Sequence, residues 1–424
     1  MDELYFYFSV SSREFVPQET LHSRENQFSR TPKGSCMKSE IHYWNNKALL
    51  LVLFFATMFA FFLVVNGCTG NMGNSMMATG PTTSFAFVAN SGSGNVSALA
   101  VNSSGGLSAV TGSPFAAGSG AEFLAVDSVH RFLFVSNQNA GSLSAFSINT
   151  SNGVLAPVPD SPFLTGATPH GVAVDPAGKF VFVGNESGSI SAFSINSSNG
   201  ALTPVPGSPF AASSPFGITV SPSGTFLYVT NTNTGGLSPS SISTFMIDAN
   251  TGALTAVNSP LNTGTTPIGI TVDPNGKFLY LAEHMTESLG TFSVNPSTGA
   301  LTRVGSTPAP PASCGVSCHL APLRVAIHPN DQLMFVSNVG ANSVSVFNIN
   351  NGSPPATSAM ATGQHPFGVA VAPMGDVLLV ANKIDNTVSS FAVNAVTGSL
   401  TPVSGSPFLS GGNAPAGIVI VQKQ

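Results

Sequence analysis

The chain of 424 residues is 42% hydrophobic and only 7% charged. Its 13 basic and 18 acidic residues give a net charge of −5 at pH 7, which argues against a nucleic-acid partner held by a basic patch. The hydrophobic content is sufficient for a core, so the composition also argues against an intrinsically disordered chain.

The start of the chain differs in composition from the rest. Residues 1–36 are polar and charged without a regular period, and we interpret them as a non-native or disordered extension, with Met37 as the better start. Residues 37–67 contain lysines followed by 18 almost wholly apolar residues. That length lies between the apolar region of a signal peptide and a membrane-spanning helix.

A cysteine follows the apolar stretch directly. The sequence Val-Asn-Gly-Cys68 resembles the lipobox of bacterial lipoproteins, which implies a signal peptide over 37–67 and a lipid on Cys68. Residues 68–83 are rich in Gly, Ser, Thr and Met and predict a flexible linker. An uncleaved membrane anchor is the alternative. Both interpretations predict export and attachment to a membrane of the bacterial cell envelope, on the periplasmic or the outer side.

From residue 84 onward the sequence repeats a strand–turn–strand unit. Each copy contains an apolar strand that ends in Asn or, once, in Glu, at 85–90, 132–137, 180–185, 226–231, 278–283, 333–338 and 377–382. The strand ends lie 44 to 55 residues apart, a period that fits the four short strands of a propeller blade. We therefore predict an all-β fold over 84–424, a seven-bladed β-propeller of four-stranded antiparallel blades.

The two ends of the repeat region predict how the ring closes. The first copy lacks the strand that precedes the apolar strand in the other copies, and the chain ends in an extra strand at 416–421. We expect these two segments to pair, because this completes the first blade and leaves no exposed edge. Pro204 interrupts the fourth strand of its copy, which places that strand at the outer edge of a blade.

Two cysteines lie in the longest insertion, in the sequence Cys314-Gly-Val-Ser-Cys318-His. In an exported protein this pattern favours a disulfide. A haem attachment and a Cys/Cys/His metal site are the alternatives that the motif leaves open. We expect the disulfide, and with it no metal and no cofactor.

Several repeat motifs resemble one protein family. Pro169-His-Gly-Val-Ala-Val-Asp-Pro and Phe226-Leu-Tyr-Val-Thr-Asn are similar to the repeats of the lactonase family of seven-bladed propellers, which includes 6-phosphogluconolactonases and Tyr-Val-Thr-Asn repeat proteins. The resemblance spans residues 84–421. It implies a site near Ala-Pro-Leu323-Arg324-Val-Ala-Ile-His-Pro, where the family typically has Gly-Pro-Arg-His before a strand that ends in His-Pro. Leu323 stands at the arginine of that pattern and Arg324 at its histidine.

The predicted site lies at the channel mouth, the face on which loops enter the first strand and leave the second. Glu283, His284 and Glu287 break the Asn pattern of the fifth blade, and Arg324 replaces a glycine in the sixth. We expect these irregular elements to converge in one sector. The other residues expected to face the mouth are Glu122, His170, Phe216 and Phe367.

Hydrolysis of a lactone needs a base for water and a positive group for the developing oxyanion. We assign His170 or His284 as the base, Glu283 as its orienting partner, and Arg324 as the electrophile or a carboxylate clamp. Glu122, Glu287, Phe216 and Phe367 are candidates for binding. The competing interpretations are a solvated surface loop at Glu283–His284 and an ordinary ion pair for Arg324.

The sequence leaves three functions open for what we expect to be a monomer. The first is a tethered propeller that binds a protein or a small sugar ligand at the mouth without catalysis, and the sparse acid–base inventory favours it. The second is a hydrolase that acts on a sugar lactone. The third is a redox or haem protein, and it rests on the Cys-His motif alone.

Overall fold

The strands of the protein form seven antiparallel sheets. The computed structural model describes residues 80–232, 240–308, 320–349 and 356–424, and in these ranges the regular elements are strands. No helix in the described ranges has the length and apolar character needed to span a bilayer. The leader, Cys68, Cys314 and Cys318 lie outside the described residues.

Each sheet is one blade, in which the chain runs from the inner strand outward, except that the last strand of the chain is the inner strand of blade 1. Blade 1 contains β1 (Thr82–Asn90), β2 (Asn95–Asn102), β3 (Leu107–Ala109), β4 (Phe115–Ala116) and the last strand, β32 (Pro415–Gln422). Blade 2 contains β5 (Ala121–Val126), β6 (Phe132–Asn137), β7 (Ser142–Ile148), β8 (Leu155–Pro157) and β9 (Phe163–Leu164). Blade 3 contains β10 (Pro169–Val174), β11 (Phe180–Asn185), β12 (Ser189–Ile195), β13 (Leu202–Pro204) and β14 (Phe210–Ala211). Blade 4 contains β15 (Pro215–Val220), β16 (Phe226–Asn231), β17 (Ser241–Ile247) and β18 (Leu254–Asn262).

The remaining three blades follow the same order. Blade 5 contains β19 (Pro267–Val272), β20 (Phe278–Glu283), β21 (Ser288–Val294) and β22 (Leu301–Pro308). Blade 6 contains β23 (Pro322–Ile327), β24 (Leu333–Asn338), β25 (Ser343–Asn348) and β26 (Ala356–Ala361). Blade 7 contains β27 (Pro366–Val371), β28 (Val377–Asn382), β29 (Thr387–Val393), β30 (Leu400–Pro402) and β31 (Phe408–Leu409).

In blades 1, 2, 3 and 7 the outer strand is divided into two short pieces that pair with the same third strand. In blade 3, for example, β13 pairs with β12 at Phe193↔Pro204, and β14 pairs with it at Ile190↔Phe210. Because proline cannot donate to a ladder, an outer position is where it can be accommodated. The blades are therefore four-stranded, as predicted.

The chain ends share blade 1, which confirms the predicted closure. The inner strand β32 runs antiparallel to β1, with Phe85 opposite Val421 and Val88 opposite Ile418. Val421 is fully buried, and Ile418 and Ile420 are nearly so. The ring is thus closed by backbone hydrogen bonds and by apolar contacts with the neighbouring blades.

The hydrophobic core lies between the blades. Every residue of β6, β11, β16, β24 and β28 is buried. Leu133 and Val135 of blade 2 pack in one cluster with Phe85 and Phe87 of blade 1. Because both faces of each second strand meet a neighbouring blade, the first four residues of these strands are apolar and do not alternate with polar residues.

Neighbouring inner strands approach each other closely around the channel, and glycine allows this approach. The third residue of the inner strand is glycine in five blades, at Gly171, Gly217, Gly269, Gly368 and Gly417. A Cβ on Gly171 would lie 2.5 Å from the carbonyl oxygen of Phe216 in the next blade. Blades 2 and 6 have Phe123 and Arg324 at this position instead.

A second repeated contact forms the channel mouth. The residue before each inner strand has positive φ, as at Thr168 (φ 51°), and its carbonyl oxygen accepts the N–H of the residue that follows the second strand. In blade 3 this hydrogen bond joins Glu186 N to Thr168 O at 3.0 Å. It recurs in every blade, between Ser91 and Ala414, Gln138 and Gly120, Thr232 and Ser214, His284 and Thr266, Val339 and Ala321, and Lys383 and His365.

Deletion of residues 416–424 should abolish closure of the ring. The deletion removes Ile418, Ile420 and Val421 from the core, which costs roughly 5–9 kcal/mol by apolar burial alone and exposes one edge of β1. That loss is comparable to the whole stability of many domains. We expect aggregation or a strongly lowered urea midpoint, whereas deletion of residues 423–424 should have little effect. A truncated chain that unfolds at the midpoint of the full protein would contradict the closure.

Candidate functional site at the channel mouth

Two rings of side chains form the mouth. The second residues of the seven inner strands form the deeper ring: Ala416, Glu122, His170, Phe216, Ile268, Leu323 and Phe367. The residues that follow the second strands form the upper ring: Ser91, Gln138, Glu186, Thr232, His284, Val339 and Lys383. Most members of the deeper ring belong to one apolar cluster, so charged side chains there lie on an apolar floor.

His170 lies between two carboxylates. Its Nδ1 is 2.9 Å from Oε2 of Glu122, and its Nε2 is 3.0 Å from Oε2 of Glu186. Phe216 stacks on the imidazole with ring centroids 4.1 Å apart, and Phe123 meets its edge at 6.0 Å. The side chains of His170 and Glu122 are 3% and 8% exposed, whereas that of Glu186 is 27% exposed. Glu186 is therefore the carboxylate of this group that a ligand can reach.

The two carboxylates decide the protonation of His170. Burial disfavours the charged ring, but the hydrogen bonds with Glu122 and Glu186 outweigh it and raise the pKa of His170 to about 9. Burial alone would raise the pKa of Glu122, yet the hydrogen bond from His170 and the charges of Lys383 and Arg324 lower it. At pH 7 the cluster is thus an imidazolium that donates to two carboxylates.

Arg324 lies in a cage of three phenylalanine rings from different blades. Its guanidinium carbon is 3.8 Å from the ring centre of Phe123, 5.5 Å from that of Phe367 and 5.8 Å from that of Phe216. The Nη2 atom is buried and has no hydrogen-bond acceptor in the described part of the protein. Burial lowers the pKa of Arg324 to about 9, an effect that Glu122 partly offsets, so the side chain stays charged at pH 7. Within the described ranges the cage holds the cation by cation–π contacts, and no ion pair to Arg324 is found there.

A further cation lies on the blade 7 side of the mouth. Lys383 Nζ is 4.8 Å from the ring centre of Phe367, which also faces Arg324. His365 lies beside the same ring, with centroids 6.5 Å apart. Burial, together with the charges of Lys383 and His284, lowers the pKa of His365 to about 4, so this imidazole is neutral at pH 7.

Glu283 is oriented into its own blade. Its carboxylate forms two hydrogen bonds with Arg303, of 2.7 and 2.8 Å, and it accepts others from Ser288 and from the backbone N–H of Gly264. Burial opposes ionisation, but these hydrogen bonds outweigh it and lower the pKa of Glu283. No hydrogen bond or ion pair between Glu283 and Arg324 is found among the described residues. The convergence of Glu283, His284 and Arg324 in one sector stays a prediction.

The other blades explain what Glu283 does. Where blade 5 has Glu283, the others have an asparagine whose amide nitrogen donates to side chains on the third strand, as Asn185 donates to Ser189 and Ser191. In blade 5 the second of these serines is replaced by Gly290, and Arg303 supplies the missing hydrogen bonds. The asparagines thus link two strands across a blade.

The remaining candidates lie at the edge of the mouth. His284 Nδ1 is 3.3 Å from the carbonyl oxygen of Pro322. Glu287 occupies the turn before β21 with a φ of 57°, a position taken by glycine in several other blades. The roles predicted for His170, His284, Glu283 and Glu287 stay predictions. For His170, action as a base would require loss of the proton that the two carboxylates favour. No group of three or more possible metal ligands occurs in the described ranges.

Sequence reasoning missed Glu186, Lys383, His365 and Phe123. The first two directly follow a strand-ending asparagine, and His365 directly precedes an inner strand. An alignment of the seven copies shows these positions as varied and partly charged, next to residues that hardly vary. Varied, charged positions beside nearly constant ones are the feature of the sequence from which these site residues could have been identified. The contacts between blades that bring the residues together are not visible in the repeat pattern.

Replacement of Arg303 by alanine, the residue at the matching position of blade 4, should destabilise the protein by roughly 1–3 kcal/mol. The change leaves the buried carboxylate of Glu283 without its cation. The triple variant Arg303→Ala, Glu283→Asn, Gly290→Ser restores the pattern of the other blades and should recover most of the loss. Urea unfolding measures both variants. Equal midpoints for Arg303→Ala and the wild type would contradict a stabilising ion pair.

Comparison with known proteins gives the family. The model of the family described as lactonase, 7-bladed beta-propeller, matches residues 69–216, 204–318 and 319–413. No curated protein sequence matches significantly. The structure resembles a proposed 6-phosphogluconolactonase of Bacteroides fragilis at a TM-score of 0.66 and 21% identity, covering 81% of this chain and 99% of that one.

Two further solved structures resemble this fold to a similar degree. A proposed 6-phosphogluconolactonase of Bacteroides uniformis has a TM-score of 0.68 at 22% identity, with 80% of this chain and 99% of that one covered. The periplasmic gluconolactonase of Pseudomonas aeruginosa has a TM-score of 0.67 at 17% identity, with coverages of 81% and 100%. At these identities the structures support the shared fold, and the family match covers most of the sequence. The chain belongs to the lactonase family of seven-bladed β-propellers.

Proposed function

We propose that this protein hydrolyses a sugar lactone at the channel mouth. The observation that carries the proposal is the convergence of the Glu122–His170–Glu186 group and the caged Arg324 on the same two rings, Phe123 and Phe216. A reachable carboxylate and a cation with an unused donor are the two groups that lactone hydrolysis requires. The names of the structural neighbours agree with this reaction.

In the proposed reaction Glu186 is the base. A water molecule attacks the lactone carbonyl carbon while its proton passes to the Glu186 carboxylate, and the carbonyl oxygen becomes an oxyanion that accepts from Arg324. Collapse of this intermediate breaks the bond between the carbonyl carbon and the ring oxygen. The ring oxygen takes the proton from Glu186 and leaves as the hydroxyl group of the product, a hydroxy acid.

His170 is a positioning residue in this scheme. Its charged ring donates to Glu186 on one side and to the buried Glu122 on the other, and stacking on Phe216 holds its plane. Glu122 keeps the ring charged, and the ring in turn orients the Glu186 carboxylate toward the mouth. Phe123, Phe216 and Phe367 exclude water from one side of Arg324, which strengthens its interaction with an oxyanion.

Binding without catalysis is the second candidate. It is favoured by one specific observation, namely that both nitrogens of His170 already face carboxylates, so the imidazole is not available as a base in this state. The sequence alone ranked this function first. The position of Glu186 beside His170, which the sequence did not reveal, favours hydrolysis over binding alone.

We further propose that the propeller acts outside the cytoplasm as a tethered monomer. The apolar segment within 37–67 and the lipobox-like Cys68 support this location. The periplasmic location named for the Pseudomonas aeruginosa neighbour agrees with it. Globomycin, which blocks lipoprotein signal peptidase, tests the lipid anchor: the precursor should accumulate when the protein is expressed in a bacterium.

Hydrolysis of δ-gluconolactone, corrected for the spontaneous reaction, tests the proposed activity. Arg324→Met removes the oxyanion donor and should lower kcat about 10²–10³-fold. Glu186→Gln removes the base and should lower kcat by about 10²-fold or more. The control is Asp160→Asn, an exposed turn residue with positive φ that asparagine tolerates, and it should retain the wild-type rate. Wild-type protein that does not exceed the spontaneous rate would reject the activity on this lactone and favour binding alone.

A further inference from the structure

The charges of the mouth do not balance. Glu122 and Glu186 both pair with His170. Among the described residues neither Arg324 nor Lys383 forms an ion pair. With three cations and two carboxylates, the cluster carries one net positive charge at pH 7. A ligand with one negative charge would neutralise it.

The two cations without an ion pair contact the same aromatic ring. Arg324 on blade 6 and Lys383 on blade 7 both face Phe367, at 5.5 and 4.8 Å from its ring centre. Both also act on the same carboxyl group, since each lowers the pKa of Glu122. Neighbouring blades thus place two cations beside Phe367, a lysine and an arginine whose buried Nη2 has no acceptor among the described residues.

A buried N–H group without an acceptor costs roughly 1–3 kcal/mol, and the cost is recovered when a ligand supplies an oxygen. Guanidinium groups bind carboxylates with two parallel hydrogen bonds, and the lysine adds a second charge. Arg324 as a whole residue is partly exposed, whereas its Nη2 atom is buried. These features select a planar monoanion over a neutral ligand.

We propose that Arg324 and Lys383 form a carboxylate-binding subsite that holds the hydroxy-acid product, an aldonate, through its carboxylate. The choice of ligand rests on the proposed lactone hydrolysis, because that reaction converts a neutral lactone carbonyl into a carboxylate at this position. The subsite makes the protein sensitive to its product. The enzyme then depends on a following reaction that consumes the sugar acid, such as its phosphorylation, oxidation or dehydration.

Isothermal titration of the full-length protein with gluconate tests the subsite. The uncharged polyol sorbitol, which has similar hydroxyl groups, is the matched control ligand. Gluconate should bind and sorbitol should not. Arg324→Met and Lys383→Met should each weaken gluconate binding by about tenfold or more, because each removes a charged donor. Lys179→Met, at an exposed lysine on the opposite face, should bind gluconate as the wild type does.

Three results would overturn the subsite: no binding of gluconate by the wild type at millimolar concentration, equal binding of sorbitol, or unchanged affinity in both variants. These results are distinguishable from failure of the proposed function. Hydrolysis of δ-gluconolactone without gluconate binding removes the subsite and leaves the activity. Gluconate binding without hydrolysis removes the activity and leaves a sugar-acid-binding propeller.

Discussion

The close approach of neighbouring inner strands is the constraint on which this structure depends. Around most of the channel it allows only glycine at the third position, because a Cβ at Gly171 would collide with the carbonyl oxygen of the next blade. Seven blades can meet at a narrow axis only if their backbones come this close. Few side chains therefore reach the channel. Each of those that do strongly affects the properties of the mouth.

The site arises where that pattern is broken. Blades 2 and 6 carry Phe123 and Arg324 in place of glycine, and in both the bulge of the inner strand is shifted, with Phe123 and Arg324 opposite Ser136 and Ser337. The two side chains then meet across the channel at 3.8 Å. Burying a guanidinium without an ion pair is costly, and the three aromatic rings offset part of that cost. Together with the Glu122–His170–Glu186 group, this gives a low-dielectric mouth in which charges interact strongly.

The sequence predicted the architecture well because each repeat carries its own signals. The apolar second strands, the turn residues and the unmatched strand at 416–421 led to seven blades with a shared first blade, and the register of β1 with β32 confirms this. The identity of the mouth residues was only partly predictable. Glu122, His170, Arg324, Phe216 and Phe367 follow from their repeat positions, and the structure brings these five together.

The partners of these residues could not be read from the repeats. Glu283 is predicted as a site residue because it breaks the Asn pattern. Its partner Arg303 lies on the outer strand, and the pairing of Phe292 with Arg303 brings it near. Glu186 faces His170 because a backbone hydrogen bond joins its loop to Thr168. Such contacts depend on strand register and on the positions of neighbouring blades, which a repeat pattern does not specify.

The protonation of His170 tests this account most directly, because the orientation of Glu186 and the charge of the mouth both depend on it. Nitrogen-15 NMR of labelled protein, with His170 assigned by comparison with His170→Gln, reports the state of each ring nitrogen. We predict that both nitrogens carry protons at pH 7 and that the ring titrates at about pH 9. A neutral ring at pH 7 that titrates near 6.5, the value of an unperturbed histidine, would contradict the bridge between Glu122 and Glu186.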